Sequence, residues 1–237
     1  YLSSRNGESI LNLNEVFLRL DFDNLFKTLS EKYTLEISFD NSLKDCLLRD
    51  INKYYLNEVK HFFVDLTKDE SEIWGSFRKS YKSIINKAAR EYTVKAAKSR
   101  AQWQSMQELH LKVSGRITRS QYSWDLQYEA LNQGNAQCLY VERDNDELIG
   151  FIYVFHSNSS AYYAVGVYNE IAKSTGVAHL LQYSMITLLK NLGIIQYVLS
   201  VHNSELSEKE RSIHHFKSGF ARHTHDSWVL KYNCADE

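Results

Sequence analysis

From Thr93 onward the chain changes hydrophobic period in a fixed order, and few folds accept that order. Thr93–Ala97 is a short extended run. Gln102–Val113 and Ser120–Leu131 repeat apolar residues every three or four positions, as helices do. Ala136–Glu142, Leu148–Phe155 and Ala161–Tyr168 read as three strands. Only Asp144-Asn145-Asp146 and Ser157-Asn158-Ser159-Ser160 separate them, and connections that short join antiparallel neighbours. A helix over Ala172–Asn191 follows, with Val177, Leu180, Leu181, Leu188, Leu189 and Leu192 on its apolar side and Gly193 at its end. Ile194–Val201 reads as a strand, Glu205–Ser218 as a helix and Trp228–Tyr232 as a last strand. The implied class is α/β (α+β): a mixed, largely antiparallel sheet flanked by helices.

The first part of the chain is shorter of such signals. Residues 8–31 are helix-like, Tyr33–Phe39 alternates as a strand, and Asp40-Asn41-Ser42 punctuates it. Leu43–Leu56 reads as a helix and His61–Leu66 as a buried strand. One amphipathic helix is expected over 70–92, capped by Asp69 or Ser71, with Ile73, Trp74, Phe77, Tyr81, Ile84, Ile85, Ala88 and Tyr92 along its apolar stripe. The expected organisation is therefore an incomplete α/β half over 1–92, ending in this helix, and a complete domain over 93–237. Proline is absent and only 9 glycines are present, so Asn, Asp, Ser and Gly must make every turn.

Charge narrows the partner classes. With 28 Lys+Arg against 29 Asp+Glu the net charge is −1, unlike a dedicated nucleic-acid protein. Yet Arg78, Lys79, Lys82, Lys87, Arg90, Lys95, Lys98 and Arg100 face only Glu91 within their segment. A basic island in an otherwise acidic chain suits a local anionic ligand, and a solvated helix face explains it equally well. Cys46, Cys138 and Cys234 are isolated, with no zinc spacing, which suits a reducing, cytoplasmic setting. His214, His215, His223 and His225 form no paired ligand motif, so no metal is expected. No apolar run reaches membrane-spanning length, and no leader is visible, although the chain opens on Tyr1 rather than Met.

Two places carry chemistry. Lys173-Ser174-Thr175-Gly176-Val177-Ala178 opens the long helix after the third strand, where unhindered backbone N–H groups and a cation would suit a phosphate. Near the end lies Ile213-His214-His215-Phe216-Lys217-Ser218-Gly219-Phe220. With the element order, the first resembles the Arg/Gln-x-x-Gly-x-Gly/Ala signature of GNAT acyltransferases, departing in Lys for Arg/Gln and Ala for the second Gly. The second is similar to the Phe-Lys terminal motif of the FemABX and CelD-like branch of that superfamily. The Trp74-to-Ala88 segment, a Trp followed by a basic Ile-Asn-Lys-Ala helix, also resembles that branch.

The resemblance implies acyl transfer to an amine of a small-molecule or sugar-linked acceptor, through a tetrahedral intermediate. The expected co-substrate is acyl-CoA, held by Lys173, Ser174, Thr175, Gly176, Val177 and Ala178, with a backbone N–H from the Ala164–Val167 stretch, Val165 and Val167 included, polarising the acyl carbonyl and Asn203 facing the cleft. Lys217 would stabilise developing negative charge, Phe216 would shape the site, and His202 is the candidate base. Arg78, Lys79 and Lys82 would bind the acceptor. The alternatives are an aminoacyl-tRNA-dependent transferase, whose tRNA or nucleotide-sugar pyrophosphate the basic island would meet, and a non-catalytic binding module. The oligomeric state is not legible.

Overall fold

The computed structural model describes residues 36–40, 54–144, 146–202, 208–221 and 223–232. The helix expected over 8–31, the start of the helix expected from Leu43, Cys46, Asn203 and Cys234 lie outside these residues. The chain divides into two compact units. In the smaller (Tyr1–His61, Val201–Arg211, Thr224–Glu237), β1 (Glu36–Asp40) pairs antiparallel with β8 (His223–Tyr232), Glu36 opposite Lys231. Tyr54–Leu56, expected to finish a helix, instead opens the strand β2 (Tyr54–Asp65), as adjacent tyrosines favour extended backbone.

The larger unit, Phe62–Ser200 and Ser212–His223, contains the sheet implied by the sequence. Its order is β2-β7-β6-β5-β4-β3, where β3 is Lys95–Ala96, β4 Ala136–Glu142, β5 Leu148–His156, β6 Ser160–Tyr168 and β7 Gln196–His202. Pairing is antiparallel from β3 to β6 and parallel between β6 and β7. The two-residue period sends alternate side chains to opposite faces. Leu139, Val141, Ile152 and Val154 meet one helix layer, and Cys138, Tyr140, Phe151 and Tyr153 the other.

The second layer is α3 (Arg100–Ser114) and α4 (Gln121–Asn132). Trp103, Met106, Leu109 and Trp124 fill it, and the buried Trp103 indole N–H donates to the Trp124 carbonyl at 3.0 Å. The first layer holds α1 (Glu70–Ser76), α2 (Lys79–Glu91), α5 (Glu170–Thr175) and α6 (Val177–Asn191). Leu181, Met185 and Leu189 of α6 are fully buried there beside Ile85 and Ala88 of α2. Each such side chain contributes roughly 1.5–3 kcal/mol.

Two helices expected to be continuous are broken. Asp69 caps α1, accepting from the Glu72 N–H at 2.8 Å, but the helix stops at Ser76. Phe77 and Arg78 are extended (ψ 150° and 134°) because the Arg78 N–H donates at 2.8 Å to the Gly219 carbonyl rather than into a helix. Apolar spacing carries through the break, since Phe77 still enters the core, so periodicity alone did not reveal it. The second break is Gly176, left-handed at φ 83°, between α5 and α6. The last helix, α7 (Glu208–Ser218), leads into the Gly219-Phe220 turn.

Candidate active site

The site grows from an irregularity in β6. Against β5, Tyr153 faces Val165 and Val154 faces Tyr163, so Ala164 is an extra, bulged residue. Against β7, β6 pairs only at Ser160–Tyr162 with Gln196–Val198. The two strands part after Tyr162, and the backbone of Tyr163–Tyr168 has no ladder on that side among the described pairs. Such an edge offers N–H groups to a substrate carbonyl. Val165 and Val167 turn their side chains into the second core layer, so only their backbones are available to a ligand.

Gly166 sits in the middle of this edge because Tyr163 folds over it. A β-carbon at Gly166 would stand within 3 Å of the Tyr163 and Tyr168 hydroxyl oxygens. The two phenol oxygens approach to 3.5 Å. The Lys217 ammonium lies 4.2 Å from the centre of the Tyr163 ring. Burial pushes the lysine down to about 8. Burial likewise pushes Tyr163 up to about 12 and Tyr168 well above the ordinary phenol value.

Lys217 is held through its own helix end. The Tyr81 hydroxyl donates to the carbonyls of Phe216 (3.1 Å) and His215 (3.3 Å), satisfying acceptors that a helix C-terminus leaves open. Arg78 Nη1 donates to the Tyr81 oxygen at 3.1 Å and to His215 Nε2 at 2.6 Å. Phe216, on the adjoining face, packs edge-on to His179 of α6 at 4.9 Å, and His179 meets the Tyr81 ring at 4.4 Å. Burial, aided by the Arg78 charge, lowers His179 to about 4, so the imidazole is neutral at pH 7.

The turn at Gly176 is arranged differently. The Lys173 ammonium pairs with Glu170 at 2.7 Å, and the Ser174 and Thr175 hydroxyls donate to the Ile171 carbonyl at 3.1 and 2.7 Å. Val177 and Ala178 are buried. The room a missing side chain leaves at Gly176 is filled by α2: a β-carbon there would lie 2.4 Å from Ile84 Cγ2.

A family model described as an acetyltransferase (GNAT) domain matches residues 75–206. The chain belongs to the GNAT acetyltransferase family. It is accordingly an acyltransferase. Among solved structures it is similar to FemX, at 14% identity and a TM-score of 0.69, covering 93% of this chain and 76% of that one. It is similar to L-PGS from Bacillus licheniformis, at 14% identity and a TM-score of 0.60, covering 91% and 73%. It is also similar to the C-terminal domain (DUF2156) of a putative lysylphosphatidylglycerol synthetase from Agrobacterium fabrum, at 14% identity and a TM-score of 0.59, covering 91% and 72%. At these identities the likeness is one of fold, and it agrees with the FemABX-like branch read from the sequence. No curated protein matches.

Within this GNAT unit, Lys217, Phe216 and Arg78 come together around Tyr81, directly or through one residue. Lys82 instead donates to the Gly75 carbonyl at 3.2 Å, and Lys79 is exposed on α2. Of the remaining basic island, Lys95 pairs with Glu142 at 2.9 Å and Arg100 with Asp125. His202 is the last residue of β7, in a segment of the smaller unit. Among the described residues no group of three or more His, Cys, Asp or Glu could hold a metal ion, and no helix is long and apolar enough to cross a membrane.

Sequence reasoning missed Tyr163, Tyr168, Tyr81 and His179. One signal was present: Gly166 interrupts an aromatic strand, and a strand-interior glycine marks a bulge or a close approach. The contact between Tyr81 and residues more than 130 positions away had no sequence signal.

Proposed function

We propose that this GNAT-family enzyme moves an acyl group onto an amine at the open edge of β6, and that its donor is an oxygen ester of the aminoacyl-tRNA kind. The observation that carries the reading is the Lys217 ammonium, desolvated beside the unpaired edge. When the amine attacks the carbonyl, negative charge develops on oxygen. A fixed cation and backbone N–H groups in a poorly hydrated site stabilise that charge by several kcal/mol. Phe216 walls Lys217 from the core side, and Arg78 and Tyr81 hold its helix end in place.

The acyl-CoA reading follows from the family resemblance. The ester reading follows from the FemABX-like branch of that resemblance, and Ile84 packs into the space that Gly176 leaves. The outward cations of α2, Lys79, Lys87 and Arg90, suit the phosphates such a donor carries. The amine acceptor is read as small or sugar-linked.

Thermal melting with millimolar CoA and acetyl-CoA tests the donor. Ligand at 100 times its dissociation constant adds about 2.7 kcal/mol, a shift that is easily seen. The ester reading expects none, and a clear shift overturns it. Transfer from an alanyl ester of adenosine to glycinamide, lost in Lys217→Met, tests the reaction itself.

A further inference from the structure

The hairpin of α3 and α4 holds a cation that acyl transfer does not use. Its connection, residues 115–120, is exposed at every position except Arg119, which turns inward. The Arg119 guanidinium lies over the Trp124 ring at 5.6 Å, and the His110 ring meets the same indole edge-on at 5.2 Å. His110 Nε2 is 3.4 Å from the Thr118 hydroxyl oxygen. Gln107 stands one turn before His110 on α3. Arg119 Nη1 and Gln107 Nε2 are both buried, and neither has a hydrogen-bond partner among the described residues.

A buried donor without an acceptor is costly, and a buried cation without an anion more so. The local sequence supplies no anion. Between Glu108 and Asp125 there is no Asp or Glu, whereas Lys112, Arg116 and Arg119 all carry positive charge. Of the two flanking acids, Glu108 is exposed, and Asp125 accepts from Arg100 and Gln121. Burial, aided by the Arg119 charge, lowers His110 below its ordinary value, so the charge of this cluster rests on Arg119.

From this arrangement we infer that the α3–α4 hairpin is a binding site for a carboxylate, which takes its countercharge from Arg119 and a second hydrogen bond from Gln107. The class follows from the donors. One guanidinium and one neutral amide balance a single negative charge, and the planar fork of an arginine matches two coplanar oxygens. A phosphate, tetrahedral and more highly charged, asks for more donors than these. Trp124 supports the face of the guanidinium and leaves its edge for the ligand. Arg119 belongs to the connection and to neither helix, so its side chain can turn to an entering anion without disturbing Trp103 and Met106 below. The carboxylate has two sources to tell apart, the amine acceptor itself and a separate small acid.

The test follows the thermal midpoint of the full chain in acetate, with acetamide and inorganic phosphate as comparisons at one ionic strength. Acetate should raise the midpoint, and acetamide and phosphate should not. Arg119→Gln should weaken acetate binding about 10-fold or more, as loss of a hydrogen bond to a charged group does. Gln107→Leu should weaken it to a smaller degree, and it serves alone if Arg119→Gln fails to fold. Arg116→Gln, an exposed cation of the same connection, should leave it unchanged. A midpoint that acetate does not move, or moves equally in wild type and Arg119→Gln, overturns the site. A larger shift with phosphate than with acetate overturns the carboxylate class. Transfer to glycine and to glycinamide then separates the sources. If the acceptor brings the carboxylate, Arg119→Gln raises the KM for glycine and spares that for glycinamide. If a separate acid brings it, both KM values stay as in wild type while acetate binding is lost. The binding measurements need no turnover, so they decide the site even where acyl transfer itself fails.

Discussion

A β-carbon on Gly219 would stand 2.2 Å from the ring of Tyr81, so the turn after α7 approaches the first turn of α2 only because that side chain is missing. The closeness lets the Tyr81 hydroxyl reach the carbonyls of His215 and Phe216, and it fixes the helix end that carries Lys217. Gly219→Ala must push the ring away. An overpacked site of this kind costs about 1–3 kcal/mol. The expected result is a lower denaturant midpoint together with a loss of transfer. Tyr81→Phe, which keeps the ring and drops the hydrogen bonds, should cost less stability than Gly219→Ala. A Gly219→Ala protein with wild-type midpoint would show that the turn relaxes freely.

Lys217 should make the protein less stable than it could be. Its folded value of about 8 lies below the ordinary 10.5, so the unfolded chain binds more protons between those two values. Stability therefore rises with pH across that window, and the cost of the buried cation is in full force below about 8. Lys217→Met should stabilise the fold by about 2 kcal/mol at pH 7 while abolishing transfer. Paired melts at pH 7 and above pH 10 check the sign. The advantage of methionine should shrink at the higher pH, and a destabilised Lys217→Met protein at pH 7 would count against a desolvated charge.

Acid should act through His179. Its folded value of about 4 lies below the ordinary 6.5, so the imidazole contributes stability above 6.5 that is lost as pH falls towards 4. His179→Phe keeps a ring against Tyr81, Phe216 and Phe220 and removes the titration. The drop in unfolding free energy between pH 7 and pH 4.5 should be smaller in the variant by roughly 2 kcal/mol. Equal drops in the two proteins would place the acid sensitivity elsewhere.

The elements were legible in the sequence wherever local chemistry decided them. β4, β5 and β6 are apolar runs bounded by Asn, Asp and Ser turns, and Gly193, at φ 78°, ends α6 where a helix stop was expected. Phe216 and Lys217, singled out by their motif, lie against the rings of Tyr81 and Tyr163. What stayed hidden depends on distant partners. Residue 78 leaves the helical path because Gly219, far along the chain, takes its N–H. Gly176 has the spacing of a phosphate turn, but the occupant of its free space is Ile84, which no local pattern specifies. Tyr163 and Tyr168 read as strand aromatics until the bulge at Ala164 and the parting of β6 from β7 put them on an open edge.

The Gly176–Ile84 contact gives a last test, one that separates a packing glycine from a ligand glycine. Gly176→Ala adds a methyl 2.4 Å from Ile84 Cγ2 and strains a backbone at φ 83°, so it should destabilise the fold clearly. Ile84→Ala alone opens a cavity and should cost up to about 2–5 kcal/mol, at the low end because the side chain is only partly buried. Combined, the two should cost less than their sum, since the smaller residue at 84 removes the clash and leaves only the backbone strain. Residues in contact show coupling of about 0.5–3 kcal/mol in such cycles. Strict additivity would mean that α2 does not press on this turn, and the space at Gly176 would then be free for a phosphate.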